Sequence, residues 1–385
     1  MSLSSQKNPP SVNIVFIIDS LVIGGAESQL VMLASELHKR GYHCEVFAFR
    51  AEGAFLQTLE SLGIPVINGK FARGRDRIAL LRGAWYLWRC IYRNRPCVVQ
   101  AYLPLSNFIG AIVARLAGAS VVITSRRGLG KHQDKEPRWK YFDRISNALS
   151  SMISVNSKAV WNDMVSRDGV GSRKIVCIKN GLDLSRFILP ANMRESMRLK
   201  LGLPQSEFAW VMVANLVDYK GHKDLLQAFA LFANNFSARL FLVGRDRGAL
   251  PGLEVMVGEL GITDRVCFLG DCSDVPEILS AMDGFVMASH TEGFSNAILE
   301  AMASRLPIVA TTVGGNVEAL QDGRLGILVE PHNHITLANA MQEIMNNQEL
   351  RQMLSFAAGQ AARESYSVEA MVDSYLELYR CGLER

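Results

Sequence analysis

The sequence predicts an α/β protein made of two doubly wound domains, and three observations carry that prediction. Short apolar runs rich in Val and Ile alternate with longer segments whose apolar residues recur at helical spacing, the pattern of a parallel sheet covered on both faces. The alternation pauses in a polar, proline-containing stretch at 186–206 and then starts again. A length of 385 residues suits two domains better than one, and 49% apolar against 20% charged residues can fill two cores.

Taken in order, VNIVFIID is a buried strand, SLVIGG a loop, and AESQLVMLASELHKRG a helix ending at Gly41, with Leu30, Leu33, Ala34 and Leu37 on its inner face. HCEVFAF, a helix at AFLQTLESLG, and IPVI follow, and then the amphipathic helix GRDRIALLRGAWYLWRCIYRNR. Residues 96–114 are uncharged over nearly a membrane-spanning length. Pro96, Gln100, Pro104, Ser106 and Asn107 divide them into the strand CVVQAYL, a loop and a buried helix. SVVITS, SMISVN and KIVCIKN complete the first half. The second half runs through strands at FAWVMVANL, ARLFLVG, RVCFLG, GFVMAS and PIVAT. Helices at HKDLLQAFALFANNF, GLEVMVGELG, DVPEILSAM and NAILEAMASR separate them, and 186–206 reads as the linker. The expected domains are 1–185 and 186–364, with 365–385 a helix returning to the first. In doubly wound sheets ligands bind where strands end, so each loop after a strand is a candidate site.

Seven cysteines (44, 90, 97, 177, 267, 272, 381) form no C-x-x-C pair and read as reduced thiols of a cytoplasmic protein. Only Lys7 precedes the run Val12–Ile18, which Asp19 closes; that is too short for a signal peptide core, and no membrane span is expected. The net charge of +4 is divided unevenly: residues 1–185 carry 25 Lys+Arg against 13 Asp+Glu, and residues 186–385 carry 16 against 24. Different partners for the two halves follow. In the amphipathic helix, Ile78, Leu81, Trp85, Trp88 and Tyr92 form one stripe, with Arg75, Arg82, Arg89 and Arg93 beside it. Arginines flanking tryptophans suit an anionic membrane surface; the same stripe also suits a helix whose Trp face packs on the sheet. The basic first half favours the membrane, with the protein peripheral on its inner face. No aromatic-basic recognition motif points to nucleic acid.

The richest segment is SHTEGFSNAILEAMASRLPIVATTVGG. A strand ends near Ser289, a loop holds Glu292, and a helix begins around Ser295 or Asn296. N–H groups of Gly293, Phe294 and Ser295 at that start lack intrahelical acceptors and suit a phosphate, with Gly293 permitting close approach. Glu300 lies just over one turn into the helix. Glu292 and Glu300 can thus accept from different hydroxyls of one ligand across an anion site, or merely accompany an ordinary helix start. In VANLVDYKGH, Lys220 precedes a helix; it can neutralise a leaving diphosphate without a metal ion, or serve only as an exposed lysine. Arg245, after FLVG, offers a second cation. Gly24 and Gly25 in GGAES lack the three-glycine dinucleotide spacing, and Glu27 supports the helix start. In TSRRGLGKH, Arg126 and Arg127 can clamp a phosphate or an acceptor's polar groups; a solvated basic loop fits as well. His332 and His334 in PHNH have ligand-like spacing but no accompanying Cys or carboxylate, which favours a surface loop. No D-x-D triplet occurs.

These motifs, in this order along nearly the whole chain, resemble the family 4 retaining glycosyltransferases, with Glu292 and Glu300 as the family's Glu, seven residues, Glu pair and IKNGLDLSRF as its N-G-x-D-x-x-x-F signature. The resemblance implies the GT-B fold, two Rossmann-like domains facing a cleft. It also implies a metal-independent, cofactor-free transferase moving a sugar from a UDP- or GDP-linked donor to a saccharide or lipid-linked acceptor in bacterial surface polysaccharide synthesis. It puts the donor sugar at Glu292, the ribose hydroxyls at Glu300, the donor phosphates at Gly24 and Gly25, and the leaving group at Lys220. Arg127 is the catalytic candidate of its loop, beside His132. Gly270 to Val275 are the candidates for the base, and Asn180, Gly181, Asp183 and Phe187 have a structural role at the first domain's end. Two residues depart from the pattern: Arg305 stands where Gly is common, and Asn215 where an Arg is usual. The loss of that fixed cation throws weight onto Lys220 and Arg245. A sugar-nucleotide epimerase on the same fold is the alternative within enzymes. A dehydrogenase is disfavoured because Glu45 begins its strand rather than ending it.

Overall fold

Alternate residues of the first strand, β1 (Asn13–Ser20), fill two separate apolar layers. Ile14, Phe16 and Ile18 join Leu30, Leu33 and Leu37 of α1 (Gly25–Lys39) and Met371, Val372 and Tyr375 of the C-terminal helix α16 (Val368–Leu383). Val15 and Ile17 join Leu87 and Ile91 of α3 (Arg77–Arg93) and Ala111 and Ala114 of α4 (Pro104–Leu116). A strand buried on both faces must be apolar throughout, which is why its sequence shows no alternation. This is a computed structural model that describes residues 12–71 and 77–384. The chain divides into two units, one running to Gly181 and resuming at Val368, the other Leu182–Ser367.

In the first unit, β2 (Cys44–Arg50), β3 (Val66–Asn68), β4 (Cys97–Tyr102), β5 (Val121–Arg126), β6 (Met152–Val155) and β7 (Ile175–Cys177) complete a sheet ordered β3-β2-β1-β4-β5-β6-β7. All its pairings are parallel, with Phe16 opposite Val46 on one side and Gln100 on the other. The remaining helices are α2 (Ala54–Ser61), α5 (Lys131–Lys135), α6 (Trp139–Leu149) and α7 (Lys158–Asp168). α7 shows how local sequence sets a boundary: the Ser157 hydroxyl accepts from the Val160 N–H at 3.2 Å, and Gly169 ends the helix at φ 66°.

The second unit repeats the plan with β8 (Phe208–Val213), β9 (Ala238–Val243), β10 (Val266–Gly270), β11 (Gly284–Met287), β12 (Ile308–Thr311) and β13 (Ile327–Val329), ordered β10-β9-β8-β11-β12-β13. Its helices are α8 (Met193–Lys200), α9 (His222–Ala233), α10 (Leu250–Glu259), α11 (Val275–Ser280), α12 (Asn296–Ala303), α13 (Gly315–Ala319), α14 (His334–Asn346) and α15 (Gln348–Ser365). Strand order reverses between β1 and β4 and again between β8 and β11, and loops at such reversals form ligand sites.

The expected linker at 186–206 is instead part of the second unit and contains α8. Arg198 of α8 is fully buried; its guanidinium donates to the carbonyls of Ala281, Pro204 and Glu207 and pairs with Asp283. This arginine of the expected linker therefore crosslinks three segments. All seven cysteines are free, and no helix among the described residues is long and apolar enough to cross a membrane.

Candidate functional site

At the second unit's reversal point, the loop after β8 meets the loop after β11. Lys220 lies in a short 3₁₀ turn, Asp218–Lys220, and Gly221 at φ 73° leads into α9. A Cβ on Gly221 would lie 1.9 Å from the Ala288 carbonyl oxygen, and one on Gly314 (φ 51°) would lie 1.7 Å from that of Glu292. Only glycine fits these two positions. The Gly315 N–H donates to the Gly293 carbonyl at 3.1 Å. The segment Ala288–Gly293 is thus gripped at one end by the loop after β8 and at the other by the loop after β12.

The side chains continue this arrangement. Lys220 Nζ donates to Glu292 Oε1 at 2.6 Å, and Ser289 Oγ donates to the same oxygen at 2.8 Å. Thr311 Oγ1 fixes Ser289 by donating to its carbonyl at 2.6 Å. The Lys220 and Glu292 side chains are 18% and 9% exposed, enough for a ligand to reach the pair while most water is kept away. Ser295 caps α12 by accepting from the Ile298 N–H at 3.4 Å. The Phe294 ring is buried against Tyr366, so Phe294 can offer a ligand only its backbone. Glu300 sits one turn along α12, and burial pushes its carboxyl up to about 7, with Arg186 pulling the other way. His222 is buried at the start of α9. Burial and then the Lys220 charge hold its imidazole at about 4, so it is neutral near pH 7.

Other candidates in this unit lie along the same strand ends. Arg245 follows β9 and is already paired with Asp271, Nε to Oδ2 at 3.0 Å. The Gly244 N–H donates to the Gly270 carbonyl at 2.7 Å, Asn215 is exposed, and Val275 opens α11. Ser289, Thr311, Gly221 and Gly314 were not singled out by sequence. For the glycines the signal was present, in KGH and TTVGG, but the backbone crossings that demand them are long-range.

In the first unit, Gly24 is the extended N-cap of α1 and Gly25 its first residue. Arg127 donates to Asn180 Oδ1 at 2.9 Å and to the Tyr375 hydroxyl, and its guanidinium lies 5.0 Å from the centre of the Tyr102 ring. Arg126 is buried between Asp143 and Asp168, and His132 bonds Asp143 at 2.7 Å. Those two side chains are therefore committed to a polar network inside the unit. Gln29 bonds both the N–H and the carbonyl of Gly181 at 2.8 Å, and Asp183 caps the following turn.

Two further features decide between alternatives that the sequence left open. The Trp face of α3 does not pack on the sheet: Ile78 is 77% exposed, Leu81 71%, Trp85 50% and Tyr92 50%, while Leu87, Cys90 and Ile91 on the opposite side are buried. Arg82, Arg89 and Arg93 are exposed beside that stripe, and Arg75 falls outside the described residues. His332 and His334 do not act together. His334 opens α14, whereas His332 lies over His290, ring centres 3.7 Å apart, beside Asp224.

Two family models cover most of the chain: one described as glycosyl transferases group 1 matches residues 193–361, and one described as glycosyltransferase family 4 matches 23–186. A D-inositol 3-phosphate glycosyltransferase of Corynebacterium diphtheriae is 26% identical over 365 residues, 87% of this chain and 84% of that enzyme. A UDP-Gal:α-D-GlcNAc-diphosphoundecaprenol α-1,3-galactosyltransferase of Escherichia coli is 24% identical, covering 76% of this chain and 77% of that enzyme. Among solved structures, Anabaena HepE in complex with UDP and glucose superposes with a TM-score of 0.87 over 96% of this chain and 99% of its own, at 23% identity.

Proposed function

The chain belongs to the family 4 glycosyltransferases of the GT-B fold, and we propose that it is a retaining enzyme moving a sugar from a UDP-linked donor to a lipid-linked saccharide at an anionic membrane surface. The Lys220–Glu292 pair at the β8/β11 reversal carries this reading. A diphosphate placed there meets the Lys220 cation and the N–H groups at the start of α12, which stabilise the charge that grows as the glycosidic C1–O bond breaks. No metal ion is needed at the leaving group. Glu292 orients sugar hydroxyls, and Glu300 accepts from the ribose. Among the described residues at the pair, Lys220 and Ser289 both donate to Glu292, and none of the three is assigned as a nucleophile. The acceptor oxygen then attacks C1 on the face the diphosphate leaves, and a departing phosphate oxygen takes its proton.

Support for the donor comes from HepE, which binds UDP, and support for the acceptor from the polyprenyl-diphosphate-linked substrate in the name of the E. coli relative. The exposed aromatic face of α3, flanked by arginines, supports the membrane. A thermal-shift comparison of UDP, GDP and ADP tests the donor: UDP should raise the midpoint most, and a GDP or ADP preference would overturn the assignment. The anomeric configuration of the product, read by NMR, tests retention.

A further inference from the structure

We propose a second site on this unit: a divalent transition-metal ion, with zinc as the probe, held by Asp224, His290 and His332. The three come from separate segments, the first turn of α9, the loop after β11 and the loop before α14, and their ligand atoms all lie within 4.8 Å of one another. His290 Nε2 is 2.8 Å and His332 Nδ1 3.9 Å from the same oxygen, Asp224 Oδ2. Ligands 2.0–2.1 Å from a tetrahedral ion lie about 3.3 Å apart, so the observed separations straddle what a bound ion requires. At 2.8 Å one imidazole can share a proton with the carboxylate, whereas at 3.9 Å the other makes no hydrogen bond. An ion in place of that proton would satisfy both rings.

The surroundings favour an ion with an open position. Asp224 and His290 are 20% and 22% exposed and His332 67%, so a fourth place faces water. Two imidazoles and one carboxylate suit zinc and its first-row neighbours, and not magnesium or calcium, which take oxygen ligands. His332 reaches the cluster through a left-handed backbone at φ 61°, a conformation uncommon outside glycine. The His290 N–H also donates to the Tyr219 carbonyl at 2.8 Å, tying the loop after β11 to the loop after β8. Lys220 and Glu292 sit on those same two loops. The ion would therefore pin the segments that bring the pair together without touching the leaving group.

The full chain, stripped with a chelator and titrated with zinc against a chromophoric indicator, tests this. The expected result is one site per chain, weakened at least ~100-fold by His290→Ala or by His332→Ala and unchanged by His334→Ala. Excess magnesium should not displace the zinc. Cobalt(II) should give a four-coordinate visible spectrum that His332→Ala, a change in an exposed loop, abolishes while circular dichroism is kept. Absence of a zinc site in the unsubstituted chain, or zinc affinity left undiminished by His290→Ala and by His332→Ala, would overturn the proposal. The readout is metal binding, so it succeeds or fails independently of the donor and acceptor assigned above.

Discussion

Lys220 and Glu292, contributed by the loops after β8 and β11, form an ion pair at 2.6 Å with less than a fifth of either side chain exposed. In the unliganded chain each charge is therefore satisfied by the other. A diphosphate that recruits Lys220 must compete with Glu292, and a sugar that recruits Glu292 can loosen Lys220 in the same event. Removing one partner leaves the other short of a counter-charge in a mostly dry place. Glu292→Ala and Lys220→Ala should each cut turnover by about 10²–10³-fold, the range for losing one group that stabilises developing charge. Both should also lower the melting midpoint. A double-mutant cycle with Lys220→Met and Glu292→Leu should give a coupling of about 1–3 kcal/mol; additive stabilities would show the contact to be incidental.

The proposed contact between Glu300 and the ribose makes a pH dependence of nucleotide binding the expected outcome. With its carboxyl held near 7 by burial, it is largely protonated below that pH and ionised above it. An ionised carboxylate can accept from both ribose hydroxyls, and a protonated one loses part of that capacity. UDP affinity, followed by calorimetry, should rise between pH 6 and 8, and Glu300→Gln should flatten the profile. A wild-type profile without a step near 7 would remove Glu300 from the ribose.

The buried His222 sets an acid limit on stability. Its folded value of about 4 lies below the ordinary 6.5, so the unfolded chain takes up its proton first. Its contribution is intact above about 6.5 and lost as pH falls toward 4, amounting to about 3 kcal/mol over that window. The Ala214 and Val217 carbonyls lie close, yet neither ring nitrogen has a partner in hydrogen-bond geometry, so an apolar substitute leaves no bond unmade. His222→Leu should unfold at lower pH than the parent in denaturant titrations between pH 7 and 4.5. Glu300 works in the opposite sense: its folded value is raised, so its contribution is complete below about 4.5 and fades as pH rises through 7. The pair narrows the stable range from both sides, and in His222→Leu the remaining pH dependence should come from the alkaline side.

Much of this arrangement was legible because strands such as β1, β4 and β5 are buried on both faces and declare themselves by short runs such as IVFII, CVV and VVI with no polar alternation. Glu292, Lys220 and the start of α12 were legible because a strand, a short polar loop and a helix start are local patterns. Arg198 was not, since its counter-charge Asp283 and carbonyl partners such as Ala281 lie more than eighty residues away in sequence. The Asp224, His290 and His332 cluster was missed for the same reason: His332 invited pairing with its neighbour His334, whereas its contacts come from residues distant in sequence. Loop crossings such as Gly314 against Glu292 leave only a glycine in the sequence and no sign of what it touches.

The arginines beside the α3 aromatic stripe should not contribute equally to membrane binding. Arg82 and Arg89 are exposed, with the Arg89 guanidinium 5.8 Å from the centre of the Trp85 ring, while Arg93 is paired with the buried Glu45. A cation already matched by a protein carboxylate has less field to offer anionic lipid. Neutralising Arg82 or Arg89 with Gln should therefore weaken flotation on anionic vesicles by about fivefold each, the factor for about 1 kcal/mol per basic residue near such a surface. Arg93→Gln should weaken it less. It should instead destabilise the fold, because Glu45 would keep only its bonds from Asn94 and Cys90. Trp85→Ser with Trp88→Ser should reduce binding even at high salt, where the charge contribution is screened. Equal losses for all three arginine variants would point to a diffuse charge effect, and no binding of the unsubstituted chain at low salt would remove the membrane from the proposal.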